Sequence, residues 1–261
     1  MAAAVILIAG LVFGLIETPT QGWGSPWVVT AFVLAVVGVV AFALAERVAK
    51  DPLLPTAVYR DRSFVITATQ GALFNFTFYG LLFAMGLMLQ QGRGISVLVS
   101  GLLFLPLTGL ISLGGLGAAR LTSRWGQRRV MGAAQVLLTV SLVAVALTSA
   151  LDPVWPMILA LLPAGFAAGT LVPTMTTQAI SAVTPSAHGA ASAVFNTSRQ
   201  VGAAIGIATF GPLLGNAGHL STGFVICVLV AAAAMATAFA LTLSNRRRVE
   251  PIPSGQYSPD R

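Results

Sequence analysis

Charged residues are scarce in this sequence. Only 8% of its 261 residues are charged, whereas 56% are hydrophobic. An ordinary soluble domain carries about 25% charged residues, and a disordered chain is poor in apolar residues and rich in charge. The composition therefore excludes both classes and predicts an all-α polytopic protein whose bulk lies in a lipid bilayer.

Cysteine and histidine are also rare. The single cysteine, Cys227, and the two histidines, His188 and His219, cannot supply a disulfide framework or a thiolate metal site. The sequence contains neither a G-x-x-x-x-G-K-[ST] phosphate loop nor a G-x-S-x-G nucleophile elbow. We therefore expect no metal, no bound cofactor and no catalytic residue, and we expect that the chain is not an enzyme.

Acidic side chains are missing from the long apolar runs. All seven lie in loops, at the ends of runs or in the polar tail: Glu17, Glu46, Asp51, Asp61, Asp152, Glu250 and Asp260. A proton-coupled transporter normally keeps a titratable carboxylate or histidine in its pathway. We therefore expect that this chain alone lacks the group that would couple transport to protons.

Apolar runs long enough to cross a bilayer, which takes roughly 20 residues, fill most of the sequence. We predict about eight transmembrane helices, at residues 2–16, 27–45, 64–89, 96–118, 130–149, 154–178, 190–214 and 222–243. The longest connection, from residue 46 to 62, mixes both charge signs with two prolines. It separates two linker spans and a cytoplasmic connector (1–62) from a six-span unit (63–243), which a disordered cytoplasmic tail follows (244–261). Six spans are the size of one repeat half in a common transporter architecture.

The basic residues fall on one side of the predicted spans. Twelve of the fourteen lie in alternate connections and in the tail: Arg47, Lys50, Arg60, Arg62, Arg120, Arg124, Arg128, Arg129, Arg246, Arg247, Arg248 and Arg261. Only Arg93 lies in an opposite connection, and Arg199 lies within a run. Because short cytoplasmic loops carry the excess of Lys and Arg, we expect both termini in the cytoplasm. The net charge of +7 then reflects topology, and we expect no nucleic-acid partner.

The connection between the fourth and fifth runs is rich in arginine and reads A-R-L-T-S-R-W-G-Q-R-R over residues 119–129. Gly126 permits a tight turn, and guanidinium groups can hold neighbouring helix C-termini or carboxylates. The alternative interpretation is a positively charged loop with no specific contacts.

The seventh run holds the only charge well inside an apolar stretch. Ser192, Asn196, Arg199, Gly202 and Gly206 are spaced by three or four residues, so they share one helical face. An arginine in a membrane should face the protein interior, a water-filled cavity or the interface. The alternative is that Arg199 extends to the cytoplasmic headgroups or caps helix carbonyls.

The third run has two polar faces. Gly71, Asn75, Tyr79 and Gly86 lie on one, and Gln70, Phe74 and Thr77 lie on another. Only one face can line a cavity well. Buried amides also join helices, so Gln70, Asn75 and Gln178 can be ligand contacts or interhelical links. Met85 and Met88 can form an adaptable ligand surface or can simply pack.

Small residues spaced by four, which allow helices to approach closely, form three pairs. These are Gly165 and Gly169, Gly202 and Gly206, and Gly211 and Gly215. Kinks are expected at Pro106, Pro163, Pro173 and Pro212.

These motifs resemble the major facilitator superfamily, and specifically the C-terminal portion (spans 7 to 14) of the fourteen-span drug:proton antiporters of the EmrB/QacA type. The resemblance rests first on Leu89-Gln90, Gly94, Ser96, Ser100-Gly101 and Leu105-Pro106. It rests also on Pro185 through Gly189, Ala191-Ser192, Asn196, Arg199-Gln200, Gly202 and Gly206. The arginine-rich connection resembles the superfamily's loop motif G-x-L-x-D-R-x-G-R-[KR]: Leu121, Arg124, Gly126 and Arg128 match, while Ala119, Ser123 and Gln127 differ.

The resemblance implies a secondary-active multidrug efflux transporter in the plasma membrane, working by alternating access with the proton gradient as its energy source. Its substrate would be an amphipathic small molecule, often cationic. The cavity residues that we predict are Asn75, Tyr79, Met85, Gln178, Asn196 and Arg199. The family's N-terminal six spans, which carry its proton-coupling acids, would be needed as a partner, in the same frame or as a separate chain. Alternatives are a non-transporting membrane partner and an exporter of one metabolite.

Overall fold

The structure, a computed structural model, describes residues 24–48, 60–215 and 220–245 continuously, and several positions between residues 6 and 22. Helices whose bounds lie in this part are α1 (Pro26–Val48), α2 (Arg62–Leu87), α3 (Val97–Leu103), α4 (Leu105–Trp125), α5 (Gln127–Thr148), α6 (Trp155–Ser181), α7 (His188–Gly215) and α8 (Leu220–Ser244). The described residues form no strand, and the predicted all-α membrane fold is confirmed. Most of the predicted span at 2–16 and nearly all of the predicted tail lie outside the described residues.

Five of the described helical segments are long and apolar enough to cross a membrane. They are Arg62–Gly92, Val97–Trp125, Gln127–Thr148, Trp155–Ser181 and Leu220–Ser244. Helix α7 is longer than most, at 28 residues or about 42 Å, but it does not reach the same apolarity. Its polar residues, including Arg199 and Gln200, lower its hydropathy. The part of helix α1 from Pro26 to Ala41 is also apolar.

Helices α2 to α8 pack into one body. Helix α2 packs against α7 and α8, helix α6 packs against α4 and α5, and α5 packs against α8. Their shared core is apolar and includes Leu138, Leu161, Leu171 and Phe224, which are all fully buried. Among the described residues, α1 forms no comparable interface with this body. It lies instead beside the preceding segment, where a Cβ at Gly10 would be 2.6 Å from the carbonyl oxygen of Ala31.

Glycines bring two helix pairs into backbone contact. Gly202 and Gly206 place α7 on α2, and Gly165 and Gly169 place α6 on α4. Any Cβ at these positions would collide with a carbonyl oxygen or backbone of the facing helix. The third predicted pair brings no described backbone into close contact, because a Cβ at Gly211 would meet only the Phe83 ring at 3.9 Å and one at Gly215 would have no described atom within 4 Å.

The predicted single span at 96–118 is divided into α3 and α4. The helix breaks at Phe104, whose N–H bonds to the Gly101 carbonyl oxygen at 3.1 Å, and Pro106 opens the next helix. A proline lacks the N–H that a continuous helix needs and clashes with the preceding turn. The kink predicted at Pro106 is thereby confirmed.

A π-helical turn, Met88–Gly92, ends α2, and sequence periodicity did not predict it. The next residue, Arg93, forms an ion pair with Asp152 in the connection between α5 and α6. Its guanidinium also donates to the carbonyl oxygens of Ser149 (2.6 Å) and Leu151 (3.0 Å). Arg93 therefore ties the end of α2 to the α5–α6 connection.

Candidate functional site

Helix α2 has two polar faces, and one is consumed by packing. The amide nitrogen of Gln70 donates to the Ala238 carbonyl oxygen (2.9 Å) and to the Thr242 hydroxyl (2.6 Å) of α8. Two turns further along the same face, the Thr77 hydroxyl donates to the Ala231 carbonyl oxygen at 3.2 Å. All of these polar side chains are buried. The Gln70 face therefore links α2 to α8, which is the structural alternative given above for a buried amide.

The other face of α2 meets α7 at Arg199. The Nε of Arg199 donates to the Asn75 side-chain oxygen at 3.2 Å, and Asn75 is only 2% exposed. The guanidinium lies over the Phe195 ring, with Cζ 5.7 Å from the ring centroid. A Cβ at Gly71 would be 2.7 Å from that ring and 3.0 Å from the Arg199 Cγ. The absence of a side chain at Gly71 therefore makes room for the arginine stem between the helices.

Arg199 lies deep in the helical body. It follows the start of α7 by eleven residues, or about 17 Å along the axis. Asn75 follows the start of α2 by thirteen residues, or about 20 Å. Both residues thus lie near the middle of their helices, and we expect them well inside a hydrocarbon layer about 30 Å thick. The hydrogen bond to Asn75 turns the Arg199 guanidinium toward α2, which is the protein-facing alternative for this side chain.

The charge of Arg199 is not neutralised within the described part of the chain. No Asp or Glu there is paired with it, and its terminal nitrogens, Nη1 and Nη2, make no hydrogen bond to a described residue. The side chain is about half-buried. An unpaired guanidinium at this depth is costly unless water, another subunit or a ligand faces it. The open side of the guanidinium is therefore the place where water, another subunit or a ligand could face it.

Two other predicted residues lie beside this surface. Tyr79 follows Asn75 by one helical turn and is 41% exposed. Its ring packs edge-on against Phe78, with 5.7 Å between centroids. Asn196 precedes Arg199 by one turn and is exposed. We refer to Asn75, Tyr79, Asn196 and Arg199 as the arginine patch.

The other two predicted cavity residues are buried. Met85 is fully buried in the apolar core. It follows Asn75 by ten residues, which turns it about 80° away around the helix axis. Gln178 is buried on α6. Met85 therefore faces away from the exposed part of the arginine patch, and no hydrogen bond joins the Gln178 side chain to the patch among the described residues.

Phe195 was not singled out from the sequence, although it contacts both Gly71 and the Arg199 guanidinium. The available signal was its spacing of four residues before Arg199, which places it on the same side of α7. Gly71 was correctly grouped with Asn75 by the same spacing rule. An aromatic residue one turn from a buried arginine is thus a useful indicator of how the guanidinium is supported.

The arginine-rich connection is a turn between α4 and α5. Gly126 has φ 79° and ψ 145°, a conformation that is essentially restricted to glycine. Arg128 donates from Nε to the Thr242 carbonyl oxygen (3.1 Å) and from Nη2 to that of Leu243 (2.7 Å). These carbonyls lie in the last turn of α8, where helix geometry leaves them without intrahelical partners. Arg128 therefore caps α8, as one of the two interpretations of this connection predicted.

The remaining motif positions have local roles. Leu121 is half-buried and Arg124 is exposed. Ser123, which stands where the resembled motif has aspartate, donates its hydroxyl to the Arg120 carbonyl oxygen at 2.9 Å within the same helix. Gln127, which stands where the motif has arginine, donates to the Thr174 carbonyl oxygen of α6 at 2.9 Å.

Comparison with known proteins gives the chain a family. The Major Facilitator Superfamily pattern matches residues 1–207 and again residues 112–258. The methylenomycin A resistance protein of Streptomyces coelicolor is 30% identical over 225 residues, which are 86% of this chain and 47% of that protein. The protein of the same name from Bacillus subtilis is 32% identical over 233 residues, covering 87% of this chain and 49% of that protein.

A third relative is the tetracenomycin C resistance and export protein of Streptomyces glaucescens. It is 29% identical over 221 residues, which are 81% of this chain and 40% of that protein. The chain thus spans about half the length of the curated relatives that it matches. Its membrane helices and these matches agree with the expectation that it is not an enzyme. Because the family pattern matches more than half of its residues, the chain belongs to the Major Facilitator Superfamily.

Proposed function

We propose that this chain forms the C-terminal part of a secondary-active drug exporter of the fourteen-span type, in which substrate passes between two six-span halves. The arginine patch carries the proposal, because it is a polar, half-open surface at mid-depth between α2 and α7. Relatives named as resistance and export proteins support an amphipathic small molecule as the substrate.

The second half is proposed because of what the patch would otherwise face. Exposed Asn196 and half-exposed Arg199 and Tyr79 are unfavourable against hydrocarbon. A facing six-span half would cover them and enclose the transport path, and the relatives extend well beyond the segment that this chain matches.

The energy source in this proposal is the proton gradient. The predicted spans contain no acidic residue, and an arginine stays protonated at physiological pH. The group that binds and releases the coupling proton would therefore come from the other half.

A chimera tests the function. This chain would replace the aligned segment of the Bacillus subtilis methylenomycin A resistance protein, and the product would be placed in liposomes with an imposed pH gradient. We expect gradient-driven transport from a panel of cationic, neutral and anionic amphipathic dyes, and none from this chain alone. Arg199→Ala should abolish transport by the chimera, whereas Arg129→Ala, an exposed arginine outside the patch, should not.

Two results would contradict the proposal. One is pH-driven dye transport by this chain without another half. The other is a chimera that inserts and gives a monodisperse size-exclusion profile but moves none of the dyes.

For topology, we place the chain in the plasma membrane with both termini and the α4–α5 turn in the cytoplasm. An impermeant thiol reagent added to intact cells should label Gln91→Cys, in the π-helical turn that ends α2, and should not label Ser123→Cys. Both positions are exposed, so the two variants are a matched pair. The opposite pattern of labelling would reverse the proposed orientation.

A further inference from the structure

Arg199 presents a specific end to the open side of the arginine patch. Its Nε is occupied by the Asn75 side-chain oxygen. Its Nη1 and Nη2 have no hydrogen-bond partner among the described residues, and no described carboxylate is paired with it. The free end of the guanidinium is the edge on which two parallel N–H groups can bind both oxygens of one carboxylate.

The arginine is held in place from three directions. Gly71 accommodates the Cγ, the Phe195 ring lies under the guanidinium, and Asn75 fixes the Nε. Because the stem is fixed on α2 and α7, the two terminal nitrogens are held in a defined direction. A planar fork that is already oriented loses less freedom when it binds a planar oxyanion.

The positive charge of Arg199 favours a negatively charged ligand. The guanidinium is the only charge well inside the predicted spans, and it remains positive at physiological pH. Closing a water-excluding cavity over it is unfavourable unless a negative group enters with the ligand. A cationic ligand would add a second positive charge at the same place.

On the basis of the proposed function, we infer that the arginine patch binds the anionic group of an apolar substrate, a carboxylate or a similar planar oxyanion, on the Nη1 and Nη2 edge of Arg199. The apolar part of the ligand would rest on aromatic and aliphatic surface such as Tyr79. This assigns a substrate class opposite in charge to the cationic compounds that the family resemblance had suggested.

The test compares three probes that share one ring system. They are 4-(1-pyrenyl)butyrate, 4-(1-pyrenyl)butanol and 1-pyrenemethylammonium, measured by equilibrium dialysis against the full chain in phosphatidylcholine nanodiscs and against empty nanodiscs. We expect retention of the carboxylate above the empty-disc level and no such excess for the alcohol or the ammonium. Arg199→Gln should weaken carboxylate binding about tenfold or more, because it removes the charge and the paired donors that hold both carboxylate oxygens.

One further variant separates the positive charge of Arg199 from its planar fork, and another is a control at an exposed arginine. Arg199→Lys keeps the positive charge but loses the fork, so it should bind the carboxylate with intermediate affinity. Arg129→Gln removes an exposed arginine outside the patch and should bind like the wild type. Circular dichroism and size-exclusion profiles matching the wild type are required of each variant.

Several outcomes would overturn the inference: equal retention of the three probes, no excess over empty nanodiscs, or unchanged carboxylate binding by Arg199→Gln. A carboxylate side chain of the second half is another source of the same chemistry. If the chimera fails to bind the probe that this chain alone binds, the second half supplies that carboxylate and the inference is wrong. Transport of the neutral or cationic dyes by the chimera would in each case leave the proposed function standing.

Discussion

Two helix pairs in this protein are packed closely through glycines, but only one of them carries a charged side chain at its contact. Glycines bring α7 onto α2 and α6 onto α4, in each case with backbone against backbone. Among the described residues, the α4–α6 contact has a single hydrogen bond between its helices, from the Thr170 hydroxyl to the Gly114 carbonyl oxygen at 3.4 Å, and no charged pair. The α2–α7 contact carries Arg199 and Asn75 directly beside its glycines. Close packing is thus the shared foundation, and the charge placed at its edge distinguishes the candidate site.

The two faces of α2 repeat this lesson on a smaller scale. Gln70 and Asn75 are both buried amides on the same helix. Gln70 bonds to groups of α8 that belong to the packed core, whereas Asn75 bonds to a half-exposed arginine. A buried amide can therefore serve packing or a candidate binding site. Which of the two it serves depends on whether its hydrogen-bond partner is itself buried or is partly exposed.

The largest expected effect is a loss of stability when either glycine contact is blocked. In Gly202→Ala and Gly169→Ala, the added methyl would collide with the backbone of Ala72 or Ile111. Overpacking against flexible neighbours costs about 1–3 kcal/mol, and backbone yields less readily, so we expect at least the upper end of that range. Thermal unfolding in detergent, followed by tryptophan fluorescence, measures the effect.

Gly211→Ala is the matched control for both substitutions, because its Cβ would meet only the Phe83 ring at an ordinary 3.9 Å. It should be neutral or slightly stabilising, since alanine favours helix over glycine. If all three variants unfolded alike, the close-packing account of both helix pairs would be wrong.

Spacing rules predicted the local part of the site well. They placed Gly71, Asn75 and Tyr79 on one face of α2, and Arg199 on one face of α7 with Gly202 and Gly206. Each of these is a relation between residues three or four apart on one helix, and the α-helical period fixes it. The glycine contacts at residues 202 and 206 show that the deeper part of that face meets α2.

Pairing between helices was beyond those rules. Nothing in the local pattern distinguishes the Gln70 face, which meets α8, from the Asn75 face, which meets α7. The same limit applies to Met85, whose core position depends on which neighbours surround it, and to the contact of Arg93 with Asp152, 59 residues apart. Such contacts depend on tertiary packing rather than on helical period.

The second prediction compares the two faces of α2. A substitution on the Gln70 face should affect stability, and one on the Asn75 face should affect transport. Gln70→Ala removes two interhelical hydrogen bonds and should lower the free energy of unfolding by about 1–2 kcal/mol. The upper limit is modest because Gln70 Oε1 already has no hydrogen-bond partner among the described residues. Transport by the chimera should change little when samples with equal amounts of folded protein are compared.

Asn75→Ala is the counterpart on the other face and should behave in the opposite way. It frees the Arg199 Nε from its only described hydrogen bond, so the guanidinium loses its fixed direction. We expect several-fold slower transport with a smaller change in unfolding than for Gln70→Ala. Equal effects of the two variants on both readouts would remove the distinction between a packing face and a binding face.

The smallest expected effect compares two arginines of the α4–α5 turn region. Arg128→Ala removes the donors that cap the carbonyl oxygens of Thr242 and Leu243. A cation at a helix C-terminus contributes typically 0.3–1 kcal/mol, and we expect a loss of that size in unfolding free energy. Arg124→Ala is the control, because the exposed Arg124 side chain makes no hydrogen bond to a described residue. Hydrogen exchange in the last turn of α8 should rise in the first variant only, because protection there depends on that turn remaining closed. Equal exchange in both variants would mean that the Arg128 guanidinium is a solvated charge in the turn and does not cap α8. Arg128 and Arg199 would then differ only in how deeply they lie in the helical body.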